Sequence, residues 1–165
     1  MLFRSALSPD QRLFARGGHC VIDLVDRQGV LQKTFTWPLP QPTLAVGWSP
    51  DGQRLASASG SRVFLHEVVG KGPSLKIGRL LTTYTPSYAD ISAAKWSPDG
   101  SVLAVSSHAG TLSLLAPDGT TMMKRVVDVP LHAFDWTRPN SSARPNPTTL
   151  NGVAALPENG SPVAG

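Results

Sequence analysis

Residues Leu44-Ala45-Val46-Gly47-Trp48-Ser49-Pro50-Asp51-Gly52-Gln53-Arg54-Leu55-Ala56-Ser57-Ala58-Ser59 hold the unit on which the fold turns. An alternating apolar run leads into Ser-Pro-Asp-Gly, and a run of small residues follows. Pro50 presets φ at the first corner of a turn, Asp51 can bond its own backbone, and Gly52 accepts φ > 0. The expected product is two antiparallel strands, Thr43 to Trp48 and Arg54 to Ser59, joined by a tight turn. The small side chains of the second strand let a neighbouring layer approach closely.

The unit recurs. Ile91-Ser92-Ala93-Ala94-Lys95-Trp96-Ser97-Pro98-Asp99-Gly100-Ser101-Val102-Leu103-Ala104-Val105-Ser106-Ser107 repeats it in full, and Ser5 to Ala15 is a degenerate copy around Ser8-Pro9-Asp10-Gln11. A further start appears at Leu131 to Trp136. The serines stand at 8, 49 and 97, giving steps of 41 and 48 residues, and Trp96 to Trp136 is another 40. The longer step has a visible cause, because Gly70-Lys71-Gly72-Pro73 looks like an inserted hairpin tip.

Two more strands complete each unit. They are expected at Arg62 to Val68 and Arg79 to Thr85 in the second copy. The first copy offers His19 to Val25 and Leu31 to Trp37, and the third offers Thr111 to Ala116 and Met122 to Val129. Asp26-Arg27-Gln28-Gly29 and Ala116-Pro117-Asp118-Gly119 turn the chain between these pairs. A four-stranded unit with a period of about 40–45 residues is a WD40-type β-propeller blade. The alternative is a β-sandwich, which also turns every 8–12 residues but does not need Trp-Ser-Pro-Asp-Gly to recur at this interval.

The predicted architecture is therefore all-β. Blades span 1–41, 42–88 and 89–129, with the start of another at 130–136. Propellers close with about 4–8 blades. Three and a fraction leave open edges, so the expectation is a piece of a longer protein, or several chains sharing one ring. From Thr137 to Gly165 the composition changes to Pro, Asn and Ser, with few large apolar residues. Such a segment cannot offset its ordering entropy by burial, so a flexible tail is expected over 137–165.

Composition agrees with a folded chain. Of 165 residues, 41% are hydrophobic and 16% charged, and Gly and Pro number 15 each, as many short turns require. The single cysteine, Cys20, excludes a disulfide scaffold and points to a reducing compartment. No apolar run approaches the ~18 residues that span a bilayer, and Met1 to Ser5 lacks the layout of a secretory signal. The expectation is a soluble intracellular chain without membrane contact. The net charge of +4 is scattered, which gives no specific nucleic-acid site.

Nothing in the sequence assembles a catalytic or metal site. His19, His66, His108 and His132 lack zinc or metalloprotease spacing and read as structural or surface residues. Cys20, beside Val21 and Ile22, reads as a packed thiol in a strand. Gly17-Gly18 and Gly70-Lys71-Gly72 do not lie between a strand and a helix, as a phosphate loop requires. No cofactor and no small-molecule substrate are expected. What remains for function is the loops on one face. Trp37, Arg62, Tyr84, Tyr88, Asp90 and His108 are the candidate partner-binding residues. For the two tyrosines, interface contact and simple pinning of the loop stand side by side.

Three segments carry a family resemblance: Leu2-Phe3-Arg4 with Leu7-Ser8-Pro9-Asp10; Leu55-Ala56-Ser57-Ala58-Ser59 with Val63-Phe64-Leu65; and Tyr88-Ala89-Asp90-Ile91 through Trp96-Ser97-Pro98-Asp99-Gly100 to Leu103-Ala104-Val105-Ser106-Ser107. In blade order they resemble the middle, WD40 subunit of chromatin assembly factor 1. That resemblance implies a non-enzymatic, nuclear subunit of a histone chaperone, whose partners are histones H3–H4 or other chaperone-complex subunits during DNA replication. The alternative is a different WD40 scaffold, such as an intraflagellar-transport subunit or a ubiquitin-ligase substrate receptor, in the cytoplasm or cilium.

Overall fold

The computed structural model describes residues 5–36, 41–71, 74–127, 134–136, 149–150 and 153–155. Among them there is no α-helix. Blade 1 comprises β1 (Ser5–Leu7), β2 (Leu13–Gly17), β3 (Val21–Asp26) and β4 (Leu31–Thr36). Blade 2 holds β5 (Thr43–Trp48), β6 (Arg54–Ser59), β7 (Arg62–Val69) and β8 (Lys76–Tyr84). Blade 3 holds β9 (Ile91–Trp96), β10 (Leu103–Ser107), β11 (Thr111–Leu115) and β12 (Thr121–Val126). Each is a four-stranded antiparallel meander in chain order. A smaller sheet joins β13 (Phe134–Trp136) to β15 (Val153–Ala155) and then β14 (Thr149–Leu150).

The strand pairs β5–β6 and β9–β10 frame the Ser-Pro-Asp-Gly turns as expected. Two short strands, β14 and β15, lie within 137–165; β15 pairs with β13, and β14 pairs with β15. The rest of that segment lies outside the described residues, as do Trp37, Gly72 and Pro73. Cys20 and His19 are corrected. They form the loop between β2 and β3, where the Gly18 amide donates to the Val21 carbonyl at 2.9 Å and Cys20 takes φ 59°. Gly18 opens that turn, whereas Gly17 ends β2 and is used otherwise. A side chain on Gly17 would begin 2.8 Å from Thr43 of blade 2, so Gly17 serves close packing.

Cross-strand registers define the blade faces. Trp48, Leu55 and His66 form one row on the leading face of blade 2, and Trp96, Leu103 and Leu115 form the same row on blade 3. The row of blade 3 packs on Ala45, Ala56, Ala58, Val63 and Leu65 of blade 2. That of blade 2 packs on Leu13, Ala15, Ile22 and Leu24 of blade 1. Small residues on one side thus receive large ones from the next. Gly47 is the tightest point of the inner strands: a side chain there would meet the Ala94 carbonyl oxygen at 2.9 Å. The third interface seats Phe134 of β13 on Ala104, Leu112 and Leu114. On blade 1 the corresponding leading row is Leu7, Phe14 and Val25. Leu7 is 41% exposed, where Trp48 and Trp96 are each 7%.

The Ser-Pro-Asp turns repeat one hydrogen-bond pattern. The Ser97 hydroxyl donates to Asp99 at 2.5 Å and accepts from the Val102 amide at 3.0 Å, and Ser8 and Ser49 do the same with Asp10 and Leu13, and with Asp51 and Arg54. Successive turns lie close together: a side chain on Gly52 would begin 3.7 Å from Pro9, and one on Gly100 would begin 3.4 Å from Pro50. Gly52 and Gly100 adopt φ 70° and 73°; in the first copy Gln11 is forced to φ 58°. Left-handed backbone costs a non-glycine residue about 1 kcal/mol, so Gln11→Gly should raise stability by about 0.5–1 kcal/mol. A thermal or urea midpoint that falls would contradict this. Leu103→Ala, at a 1% exposed position, should cost about 2–5 kcal/mol in the same measurement; a loss below 1 kcal/mol would show that this row does not hold the blades together.

Candidate functional site

Loops from two sources meet on the face opposite the Ser-Pro-Asp turns. One set joins the second and third strands of a blade; the other joins an outer strand to the next inner strand. Backbone bonds stitch them together. The Thr43 amide donates to Gly18 at 2.9 Å, and the Ile91 amide does the same to Gly60 at 2.8 Å. The His108 amide donates to the Asp90 carbonyl at 3.0 Å. This places Asp90 beside His108 and beside Gly60, two residues before Arg62. Arg62 follows the turn at Gly60-Ser61, His108 sits within the turn from Ser107 to Gly110, and the Asp90 carbonyl accepts from the His108 amide. The Asp90 carboxylate comes within 3.7 Å of where a side chain on Gly60 would begin. All three are exposed.

The two tyrosines part company. Tyr84 ends β8 opposite Val63 and packs, half-buried, against the core between blades 2 and 3. Tyr88 is fully exposed at 106%. Its loop is anchored by buried Pro86 and by the Ala89 amide on the Ser87 hydroxyl at 3.2 Å. A rigid aromatic displayed from an anchored loop costs little ordering entropy on contact. Trp37 lies outside the described residues. Sequence reasoning missed Gln41, whose carbonyl accepts from Ser59 Oγ at 2.7 Å and whose side chain covers Gly60. No local motif flags it; only the neighbouring blade makes it relevant.

Among the described residues no group of three or more His, Cys, Asp and Glu side chains could hold a metal ion. No helix there is long and apolar enough to cross a membrane. The turn carboxylates are committed to their turns. Asp99 is drawn down to about 2 by the Ser97 hydroxyl, then by the amide and hydroxyl of Ser101. Asp10 is lowered chiefly by the Ser8 hydroxyl. Such groups stay ionised and bonded, which unfits them for proton transfer near neutral pH.

Two segments, residues 31–67 and 78–114, match the family model described as WD domain, G-beta repeat. These are WD40 repeats. Each match starts in the outer strand of one blade and ends in the third strand of the next, so a WD40 repeat straddles a blade interface. Among solved structures, a chain of "Crystal Structure of Mitotic Checkpoint Complex" is similar, with 15% identity and a TM-score of 0.67. The likeness covers 81% of this chain and 40% of that one. It speaks for the propeller fold. No curated protein sequence matches this chain.

His66 is a structural member of a WD40 blade. It is 1% exposed, and its Nε2 lies 3.0 Å from Ser57 Oγ on the leading face of blade 2. Burial lowers its pKa to about 4 from an ordinary 6.5. The folded chain keeps it neutral while the unfolded chain takes up a proton. Its contribution is therefore present above pH 6.5 and lost as pH falls from about 6.5 to 4. The loss should reach up to about 3 kcal/mol. His66→Leu, which copies Leu115 of blade 3, should flatten that part of the pH–stability curve. An unchanged slope in denaturant titrations at stepped pH would refute the assignment.

Proposed function

We propose that this WD40 chain is a non-catalytic docking subunit of a nuclear histone chaperone complex, of the chromatin assembly factor 1 kind, that engages histones H3–H4 during DNA replication. The coarser part, a WD40 protein-interaction scaffold, rests on the blades and the repeats. For the finer part, the support is the coincidence of one segment in two roles. Tyr88 to Ser107 carries the most telling resemblance, and it also builds the loop that displays Tyr88 and holds Asp90 beside Gly60 and His108.

A tagged chain should retain recombinant H3–H4 at micromolar concentration and should sit in the nucleus. Replacing Tyr88 and Asp90 together by Ala should weaken retention about tenfold or more, since interface aromatics and charge-assisted bonds each contribute on the order of 1–3 kcal/mol. Circular dichroism should be unchanged, because both side chains are exposed. Failure to retain H3–H4, with a ciliary location in labelled cells, would replace this reading with a transport scaffold.

A further inference from the structure

The 48-residue step between repeats places an insertion after β7, and its structural product is a cleft on the Ser-Pro-Asp side of the molecule. Leu75, which follows the insertion, reaches back to blade 1, where its carbonyl accepts from Lys33 Nζ at 2.8 Å. Leu75 is buried on the same core as Leu13 and Leu24. Between blades 2 and 3 the corresponding turn is short, and Gly119 closes directly onto Thr82. Between blades 1 and 2 the longer connection leaves a hollow of about 270 Å³ floored by these three leucines. An apolar cavity of ~150 Å³ already admits a benzene-sized guest.

The rim carries Arg12, Lys33, Gln32 and Asp26. Asp26 is spent on its own hairpin: Oδ1 accepts from the amides of Gln28 and Val30 at 2.9 and 2.8 Å, and Oδ2 from Gln32 Nε2 at 2.7 Å. The nearby Asp10 accepts from the Ser8 hydroxyl at 2.6 Å and from the Arg12 amide at 3.2 Å. Arg12 itself is exposed and makes no ion pair among the described residues. An apolar floor beside an exposed guanidinium, whose charge also acts on the Asp10 carboxylate, suits a ligand with an aliphatic group next to a carboxylate.

We propose that this cleft between blades 1 and 2 is a second docking site, taking a short acidic peptide that lays one aliphatic side chain over Leu13, Leu24 and Leu75 and sets a carboxylate on Arg12. The site lies on the face away from Tyr88 and Asp90 and does not depend on the histone reading. It gives a WD40 scaffold two partners at once, one on each side.

The test uses the whole chain and a fluorescein-labelled eight-residue peptide with two leucines flanked by glutamates. Anisotropy should saturate below about 1 mM, as for small transient contacts. Amide shifts on titration should gather at Leu13, Leu24, Lys33 and Leu75. Arg12→Glu should weaken binding about tenfold. Peptides with lysine for glutamate, or serine for leucine, should lose it. No saturation, shifts gathered instead at Tyr88 to His108, or equal binding by Arg12→Glu or by either altered peptide would each overturn the proposal. The double replacement of Tyr88 and Asp90 should leave this binding intact, so the two sites fail or succeed separately.

Discussion

Packing of a large row on a small one is the constraint from which the rest follows. Trp96, Leu103 and Leu115 are buried only because blade 2 presents alanines and short aliphatics to them. A blade alone has two apolar faces and cannot hide either. Burial of such side chains supplies about 1.5–3 kcal/mol each, and that gain exists only where two blades meet. The alternation also fixes chain order. Each leading row needs a trailing surface behind it, so the second strand of every blade must stay small. Ala56, Ala58 and Ala104, all at 0% exposure, meet that demand.

The WD40 repeat boundary makes sense on the same ground. A repeat that ran from inner to outer strand would fold as an isolated sheet. The matched segments instead begin with β4 and β8 and run into the next blade. Each repeat therefore carries its own link across an interface, reinforced by the bonds from Thr43 and Ile91 to the preceding blade. On blade 1 the same row, Leu7 and Phe14, is less buried than Trp48 and Leu55 are on blade 2.

Much of this was legible in the sequence. Turn chemistry is local, so Ser-Pro-Asp-Gly placed β5, β6, β9 and β10 within a residue or two. The misreadings arose where distant residues decide. Gly17 and Gly18 look like a turn, but Thr43 of the next blade leaves no space beside Gly17, and the turn runs from Gly18 through His19 and Cys20 to Val21. Tyr84 and Tyr88 look alike in sequence, yet the alternation along β8 directs one into the core and the end of the strand frees the other. Gln41 and Arg12 gave no signal at all, since their surroundings come from chain tens of residues away.

The two faces of the molecule divide labour by how their polar groups are spent. On one, each Ser-Pro-Asp turn consumes its own hydroxyl, carboxylate and amides. A side chain on the glycine of one turn would meet the proline of the turn before it. Such a face has little left to offer a partner. Beside Leu75, after β7, the leucine floor and Arg12 become available together. On the other face, the carbonyls of Gly18, Gly60 and Asp90 are used to stitch neighbouring loops. The side chains of Arg62, Tyr88 and Asp90 are thereby held outward on a fixed frame. Satisfied backbone is what lets exposed side chains be specific: the loops cannot relax around a partner, so the partner must fit them.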